Sequence, residues 1–193
     1  PKRSFETGIA EANAVGISAG LALSGFRPVL ASFAAFLTGK NVEIRTSIAF
    51  NKAPVVLVGT HGGLVGPDGT TQAGLQDISV MRSIPNIFVI QPSTVNETVS
   101  IVKYFLNKKN KDIVYIRISR EATTEFFTEN HKFKIGNINP IISEYKDAYV
   151  LTSGPLLKNC FQAIKSIKGK KIGLGNISSI KPIDRNSLKK IIK

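Results

Sequence analysis

Hydrophobic and polar positions along this 193-residue chain fall into alternating helical and extended patterns. Small and apolar residues recur at helical spacing up to Gly25, and later apolar runs rich in β-branched residues are typical of buried parallel strands. Thr94 and Glu97 have the spacing of a capping box. The predicted helices cover residues 9–24, 41–51, 75–84 and 94–107. The predicted strands cover residues 26–33, 53–60, 86–92 and 112–119.

The order of these elements predicts an α/β fold with a mainly parallel sheet and helices on both faces. An irregular stretch with a hairpin-like element follows at 121–145, and a second β-α-β pattern begins at residue 147. We therefore expect a first domain over 1–125, a connecting segment over 126–145 and the start of a second α/β domain over 146–193. No strand precedes the first helix and the second pattern is short, so we expect a chain truncated at both ends.

Composition narrows the class of protein. Hydrophobic residues make up 42% and charged residues 20%, which suffices for a real core. No apolar run in the sequence has the length that crosses a bilayer, and residues 1–10 lack the apolar block of a signal peptide. The single cysteine, Cys160, excludes an internal disulfide framework and fits a reducing compartment. These features predict a cytoplasmic protein without membrane partners.

The net charge of +13 comes mainly from lysines after residue 100. They are mixed with isoleucine and asparagine rather than with stacking aromatic residues, so we interpret them as solvated surface. We do not expect a nucleic-acid partner. A non-catalytic interaction module that docks to an acidic partner stays an alternative.

The richest candidate loop for chemistry spans residues 61–74 and follows a predicted strand. Ligands of open α/β sheets lie at the carboxyl ends of the strands. The loop holds His61, Asp68, Gln72 and several glycines, which let backbone approach a ligand closely. The other histidine, His131, lies far along the chain, and we assign no metal ligand. The sequence contains no P-loop pattern.

Glu11 heads a stretch of alanine, glycine, valine, isoleucine, leucine and serine without a nearby cation. A first-turn acid stabilised by the helix dipole gains only about 0.3–1 kcal/mol. A carboxyl in a dry niche instead favours its neutral, proton-donating form. The residues alone leave both interpretations open.

Two stretches resemble a known family. "GIAEANAVGISAGLALSGFRPVLASFAAFLTG" and "THGGLVGPDGTTQAGLQDISVMRSIPN" resemble the pyrimidine-binding domain of transketolases, and most of all the carboxyl-terminal section of split transketolases. The resemblance runs from about residue 3 to about residue 120, and "SSIKPID" resembles the opening of the family's third domain.

The resemblance implies an enzyme that uses thiamine diphosphate and Mg²⁺ to move a two-carbon ketol unit between sugar phosphates. It implies that another domain or subunit holds the diphosphate and the metal, with the site at a subunit interface in a homodimer or heterotetramer. The nearest rival is 1-deoxyxylulose-5-phosphate synthase, which normally has "EQH" where this chain has "EAN". The pyruvate dehydrogenase beta subunit is a more distant rival.

On the cofactor side, the resemblance implies that Glu11 is the catalytic glutamate that shares a proton with the pyrimidine ring. It implies that Phe33 and Phe36 line the pyrimidine pocket. The third aromatic residue of some members falls on Gly39, so that wall is thinner or built differently.

On the substrate side, the resemblance implies that His61 lies near the reacting substrate, where it would donate to an oxyanion. It implies that Asp68 contacts substrate hydroxyls and that Arg120 binds the sugar's phosphate. Gln72 occupies a position where many members carry a second histidine, which bears on substrate preference.

Overall fold

The computed structural model describes residues 3–107 and 109–192. Its strands are β1 Val29–Phe33, β2 Val56–Thr60, β3 Ile87–Ile90, β4 Ile113–Arg117, β5 Asn139–Ile142, β6 Ala148–Thr152, β7 Ile172–Asn176 and β8 Ser179–Lys181. Its helices are α1 Glu11–Leu23, α2 Ala34–Thr38, α3 Asn41–Glu43, α4 Asp77–Ser83, α5 Val95–Phe105, α6 Leu156–Ser166 and α7 Arg185–Ile192. A π-helix, Ile44–Ala49, continues α3. Within the described ranges, no helix is both long and apolar enough to span a membrane.

The main sheet has the strand order β1-β2-β4-β3-β8. The first four strands run parallel, and β8 is antiparallel to β3. Phe33 and Thr60 are partners in the register of β1 and β2, so the carboxyl ends of these two strands lie side by side. This arrangement confirms the predicted α/β fold with a mainly parallel sheet.

Helices cover both faces of the sheet because alternate strand residues point to opposite sides. On one face, Leu57 and Tyr115 pack with Val15 of α1, Ile48 of the π-helix and Met81 of α4. On the other face, strand residues pack against α5 and the segment after β4, in a cluster that includes Val56, Val114, Ile116, Ile101, Phe105 and Phe133. Strands β2, β3 and β4 are largely buried on both sides, which explains their continuous apolar runs.

A second sheet, β5-β7-β6, carries α6. Strand β6 runs parallel to β7, and β5 pairs antiparallel with β7. The hairpin-like element predicted within 121–145 is therefore wrong: β5 takes its partner from more than thirty residues further on. The domain boundaries at 125 and 146 stay a prediction. Strand β8 lies in the predicted second domain but pairs with β3 of the first sheet.

Buried polar contacts join the two sheets. The Glu97 carboxylate accepts hydrogen bonds from the backbone N–H of Ser93 (2.7 Å) and from Nδ2 of Asn176 (2.8 Å). Thr94 caps α5 as predicted, accepting from the Glu97 N–H at 3.2 Å. Burial raises the pKa of Glu97, which is fully shielded from solvent.

The segment after β1 contains a helix where the sequence pattern predicts no element. Residues 34–38 form helix α2, whose Leu37 is buried against the sheet. Five residues are too few to show a helical period in the sequence, so the pattern did not reveal this helix.

Candidate active site

The predicted site residues lie at the carboxyl edge of the main sheet and at the start of α1. Glu11 is the first residue of α1, Phe33 ends β1, and Phe36 lies in α2. His61 follows β2 directly, and Arg120 follows β4. Because β1, β2 and β4 are neighbouring parallel strands, their loops emerge along one edge.

The Glu11 carboxyl is half-buried and is held by a neighbouring strand. The Ser32 hydroxyl donates a hydrogen bond of 3.2 Å to Glu11 Oε1. Ser32 precedes Phe33 in β1, so the strand that carries the first phenyl ring also holds the acid. The chain alone does not enclose Glu11 completely.

The aromatic residues form a row of three parallel rings. The Phe33 ring stacks on the Phe36 ring with centroids 5.4 Å apart and 5° between the planes. The other neighbour in the row is the His61 imidazole, 3.9 Å from Phe33 at 17°. A spacing of 5.4 Å leaves no room for a third ring between the two phenyl groups. A ligand ring would therefore lie against the outside of the row, where Phe36 is 38% exposed.

His61 stands on an unusual backbone turn. Its φ is +55°, and Gly62 and Gly63 follow. A Cβ at Gly62 would lie 2.5 Å from Nε of Arg117, and one at Gly63 would lie 2.9 Å from an Nη atom of the same guanidinium. The two glycines are required here because the Arg117 side chain packs directly against this turn.

The Asp77 carboxylate holds the Arg117 side chain in place. Asp77 Oδ2 is 2.8 Å from Arg117 Nε and accepts a hydrogen bond of 2.9 Å from the Tyr115 hydroxyl. Asp77 is fully buried, and burial together with the neighbouring carboxylate raises the pKa of Tyr115 well above its ordinary value. The other Asp77 oxygen, Oδ1, has no hydrogen-bond partner among the described residues.

Asp68 lies between Arg120 and His61. Its Oδ2 is 2.8 Å from Arg120 Nε and 3.8 Å from His61 Nε2. The short contact with Arg120 lacks hydrogen-bond alignment, so it is an ion pair held by charge. All three side chains are partly exposed, which leaves them accessible to a polar ligand.

Gln72 lies in a 3₁₀ turn, Thr70–Gln72, and is half-buried. Its Oε1 accepts from the hydroxyl of its neighbour Thr71. The side-chain hydrogen bond of Gln72 thus stays within its own turn. The structure brings the other predicted site residues to one edge of the sheet: Glu11, Phe33, Phe36, His61, Asp68 and Arg120.

Sequence reasoning missed the residues that support the site: Ser32, Thr60, Asp77, Tyr115 and Arg117. One signal was available, since Arg117 is a charged residue at the end of the apolar run that forms β4. A cation placed there needs a partner or an open edge. The identity of that partner, forty residues earlier, had no local signature.

The residues present fit the pyrimidine half of thiamine diphosphate. A carboxyl that can share a proton is hydrogen-bonded to the strand that carries Phe33, and the row of flat rings includes the partly exposed Phe36. Fold and site together define an α/β domain with a candidate ligand site at the carboxyl edge of its sheet.

Comparison with known proteins gives the family. Residues 1–125 match the model of the transketolase pyrimidine-binding domain. The chain therefore belongs to the transketolase family of thiamine diphosphate-dependent enzymes, through this domain.

Relatives include a transketolase section, a split-gene transketolase and a 1-deoxy-D-xylulose-5-phosphate synthase. The "Putative transketolase C-terminal section" of Methanocaldococcus jannaschii is 34% identical over 197 residues, covering 98% of this chain and 61% of that protein. The 1-deoxy-D-xylulose-5-phosphate synthase of Clostridium kluyveri is 32% identical over 195 residues, covering all of this chain and 31% of the synthase. A split-gene transketolase solved as an inactive β4 tetramer superposes with a TM-score of 0.89 at 31% identity, over 99% of this chain and 62% of that one. The chain thus spans about three fifths of the split relatives.

Proposed function

We propose that this chain supplies the pyrimidine-binding half of an enzyme that transfers a two-carbon ketol unit from a ketose phosphate to an aldose phosphate. The observation that carries the proposal is the Glu11 carboxyl, hydrogen-bonded by Ser32, beside the aromatic row at the edge where His61, Asp68 and Arg120 converge.

Thiamine diphosphate, when bound, supplies the nucleophilic carbon that such a transfer needs. The role of Glu11 is to hold a proton towards the pyrimidine ring. Ser32 donates to Oε1, so the acid's proton belongs on the opposite oxygen, Oε2. General acid–base help of this kind contributes about 10²–10⁴-fold to a rate.

The charged residues form the proposed sugar-phosphate side. Arg120 can bind a phosphate group bidentately, and its ion pair with Asp68 holds the guanidinium ready without enclosing it. Asp68 and His61 would then face substrate hydroxyl groups. Gln72 is proposed to influence which sugar is accepted.

A partner domain or subunit is supported by the split relatives and by α1. One side of α1 is exposed and has no charge; it consists of Ala12, Asn13, Gly16, Ile17, Gly20 and Leu23. We propose that a diphosphate-binding partner, which also holds Mg²⁺, covers this side and completes the enclosure of Glu11. The assembly would be a homodimer or heterotetramer in the cytoplasm.

The second candidate is a 1-deoxyxylulose-5-phosphate synthase-like activity, favoured by relatives of that name at similar identity. The test combines this chain with a diphosphate-binding subunit, thiamine diphosphate and Mg²⁺. One reaction offers a ketose phosphate with an aldose phosphate, and the other offers pyruvate with glyceraldehyde phosphate. We expect product in the first reaction; product only in the second would overturn the proposal.

A further inference from the structure

We propose that Thr60 is a positioning residue that fixes the tautomer of His61, with the proton of the neutral ring on Nδ1 and Nε2 left as an acceptor. The catalytic meaning of this assignment rests on the proposed function. The tautomer itself rests on contacts around the end of β2.

Thr60 is the last residue of β2, and its hydroxyl lies between two polar groups. Oγ1 is 3.4 Å from the backbone carbonyl oxygen of Ser32 and 3.1 Å from Nδ1 of His61. A carbonyl oxygen can only accept, and we assign the single hydroxyl proton of Thr60 to Ser32 rather than to Nδ1 of His61. The lone pairs of Oγ1 then face Nδ1, which has to carry the proton to make a hydrogen bond.

The His61 ring cannot easily turn away from this partner. It is stacked 3.9 Å from Phe33, and its backbone is held in the left-handed region by the turn that packs on Arg117. Stacking fixes the plane of the ring, and Thr60 fixes which nitrogen carries hydrogen. The same β1–β2 junction also holds the acid, since Ser32 donates its hydroxyl to Glu11.

The assignment changes the expected chemistry of His61. Nε2 lies 3.8 Å from Asp68 Oδ2 on the partly exposed side of the ring. With Nδ1–H directed at Thr60, a neutral His61 presents a lone pair to a ligand at Nε2. The ring therefore accepts a hydrogen bond or a proton there, and donates from Nε2 only as the imidazolium, which Asp68 is placed to stabilise. Under this proposal, neutral His61 is a proton acceptor at Nε2, whereas the resemblance implies a donor to an oxyanion.

The experiment is a long-range ¹H–¹⁵N correlation spectrum of the labelled full-length chain, recorded where the spectrum shows both imidazoles neutral. The sequence has only His61 and His131, so two rings give signals, and the variant H61N assigns them. We expect His61 to show a protonated Nδ1 and a bare Nε2. T60S should keep this pattern because the hydroxyl remains. T60V, which has nearly the same shape, should move the proton onto Nε2, towards Asp68.

His131 serves as the internal control and should not change in either variant. A protonated Nε2 in the unmodified chain, or an unchanged His61 spectrum in T60V, would overturn the assignment. T60S and T60V should unfold at the same temperature as the unmodified chain, which would show that all three spectra come from folded protein.

Activity of the assembled enzyme tests the catalytic meaning separately. We expect T60V to lower kcat with little change in KM and T60S to restore most of it. The wrong tautomer of a catalytic histidine costs up to about 10⁴-fold in the Ser-His-Asp case. A shifted tautomer with normal kcat would overturn the positioning role. Absence of ketol transfer in every variant, with the spectrum as expected, would refute the proposed function and support the tautomer assignment.

Discussion

Oδ2 of Asp77 and Nε of Arg117 lie 2.8 Å apart, next to the turn that carries His61. The two residues come from different elements, the start of α4 and the end of β4, and Tyr115 from the same strand donates to the same oxygen. A buried charge pair of this kind contributes little as a pair, but the loss of one partner leaves the other charge uncompensated. The pair therefore fixes the position of the turn more than it adds stability.

Replacement of Asp77 by asparagine tests this role. Arg117, whose side chain is 12% exposed, would lose its counter-ion, so we expect the free energy of unfolding to fall by about 3–5 kcal/mol. Urea unfolding measures the loss. Asp147→Asn, at the exposed ion pair with Lys170, is the control and should cost far less. Equal losses in the two variants would show that the buried pair has no special role.

Gly62→Ala tests the packing of the same turn against Arg117. The new methyl group would lie 2.5 Å from Arg117 Nε. The Arg117 side chain cannot move away freely because it is paired with Asp77. We expect a loss of about 1–3 kcal/mol from overpacking, measured by thermal unfolding of the chain alone. Gly16→Ala in α1 meets open space and should instead gain about 0.8–1 kcal/mol. A neutral Gly62→Ala would contradict the close packing of Arg117.

The buried Glu97 makes a prediction for pH. Burial raises its pKa in the folded state above the ordinary value of 4.5, so the folded chain holds this proton more tightly than the unfolded chain. Its contribution to stability is therefore present at low pH and is lost as pH rises from 4.5 through the raised pKa. Glu97→Gln should remove this component. The measurement is the slope of the free energy of unfolding against pH in the unmodified chain and in Glu97→Gln. Identical slopes would contradict the predicted contribution of Glu97.

The exposed side of α1 makes a prediction for assembly. Ile17 is 39% exposed there, so Ile17→Lys should leave the fold of the chain intact and abolish association with the diphosphate-binding partner. Ile167→Lys, directly after α6, places the same charge at a 46% exposed isoleucine far along the chain from α1. Sedimentation of the mixtures should show the complex with Ile167→Lys alone. A complex with both variants would exclude α1 from the interface.

The sequence predicted those parts of the fold that have local or periodic signatures. The apolar runs of β2, β3 and β4 were readable because both faces of these strands are buried. Helix α2 was too short to show a period. The pairing of β5 with β7 and of β8 with β3 depends on contacts between distant segments, which the hydrophobic pattern does not encode.

The candidate site divides in the same way. His61 was singled out because it follows a buried strand directly, and the register of β1 and β2 then explains its proximity to Phe33. Asp77 was not recognised, because a first-turn acid on a short helix is ordinary in isolation. Only the fold brings it under Tyr115 and Arg117, which share one side of β4 because they are two residues apart.

The most direct test of the central claim is kcat for ketol transfer by the assembled enzyme with Glu11→Gln. Glutamine keeps the size of the side chain and can still accept from Ser32, but it cannot supply the proton. With thiamine diphosphate binding confirmed by calorimetry, we predict that kcat falls by about 10²–10⁴-fold. A variant that binds the cofactor and keeps kcat within a few-fold of the unmodified enzyme would contradict the account.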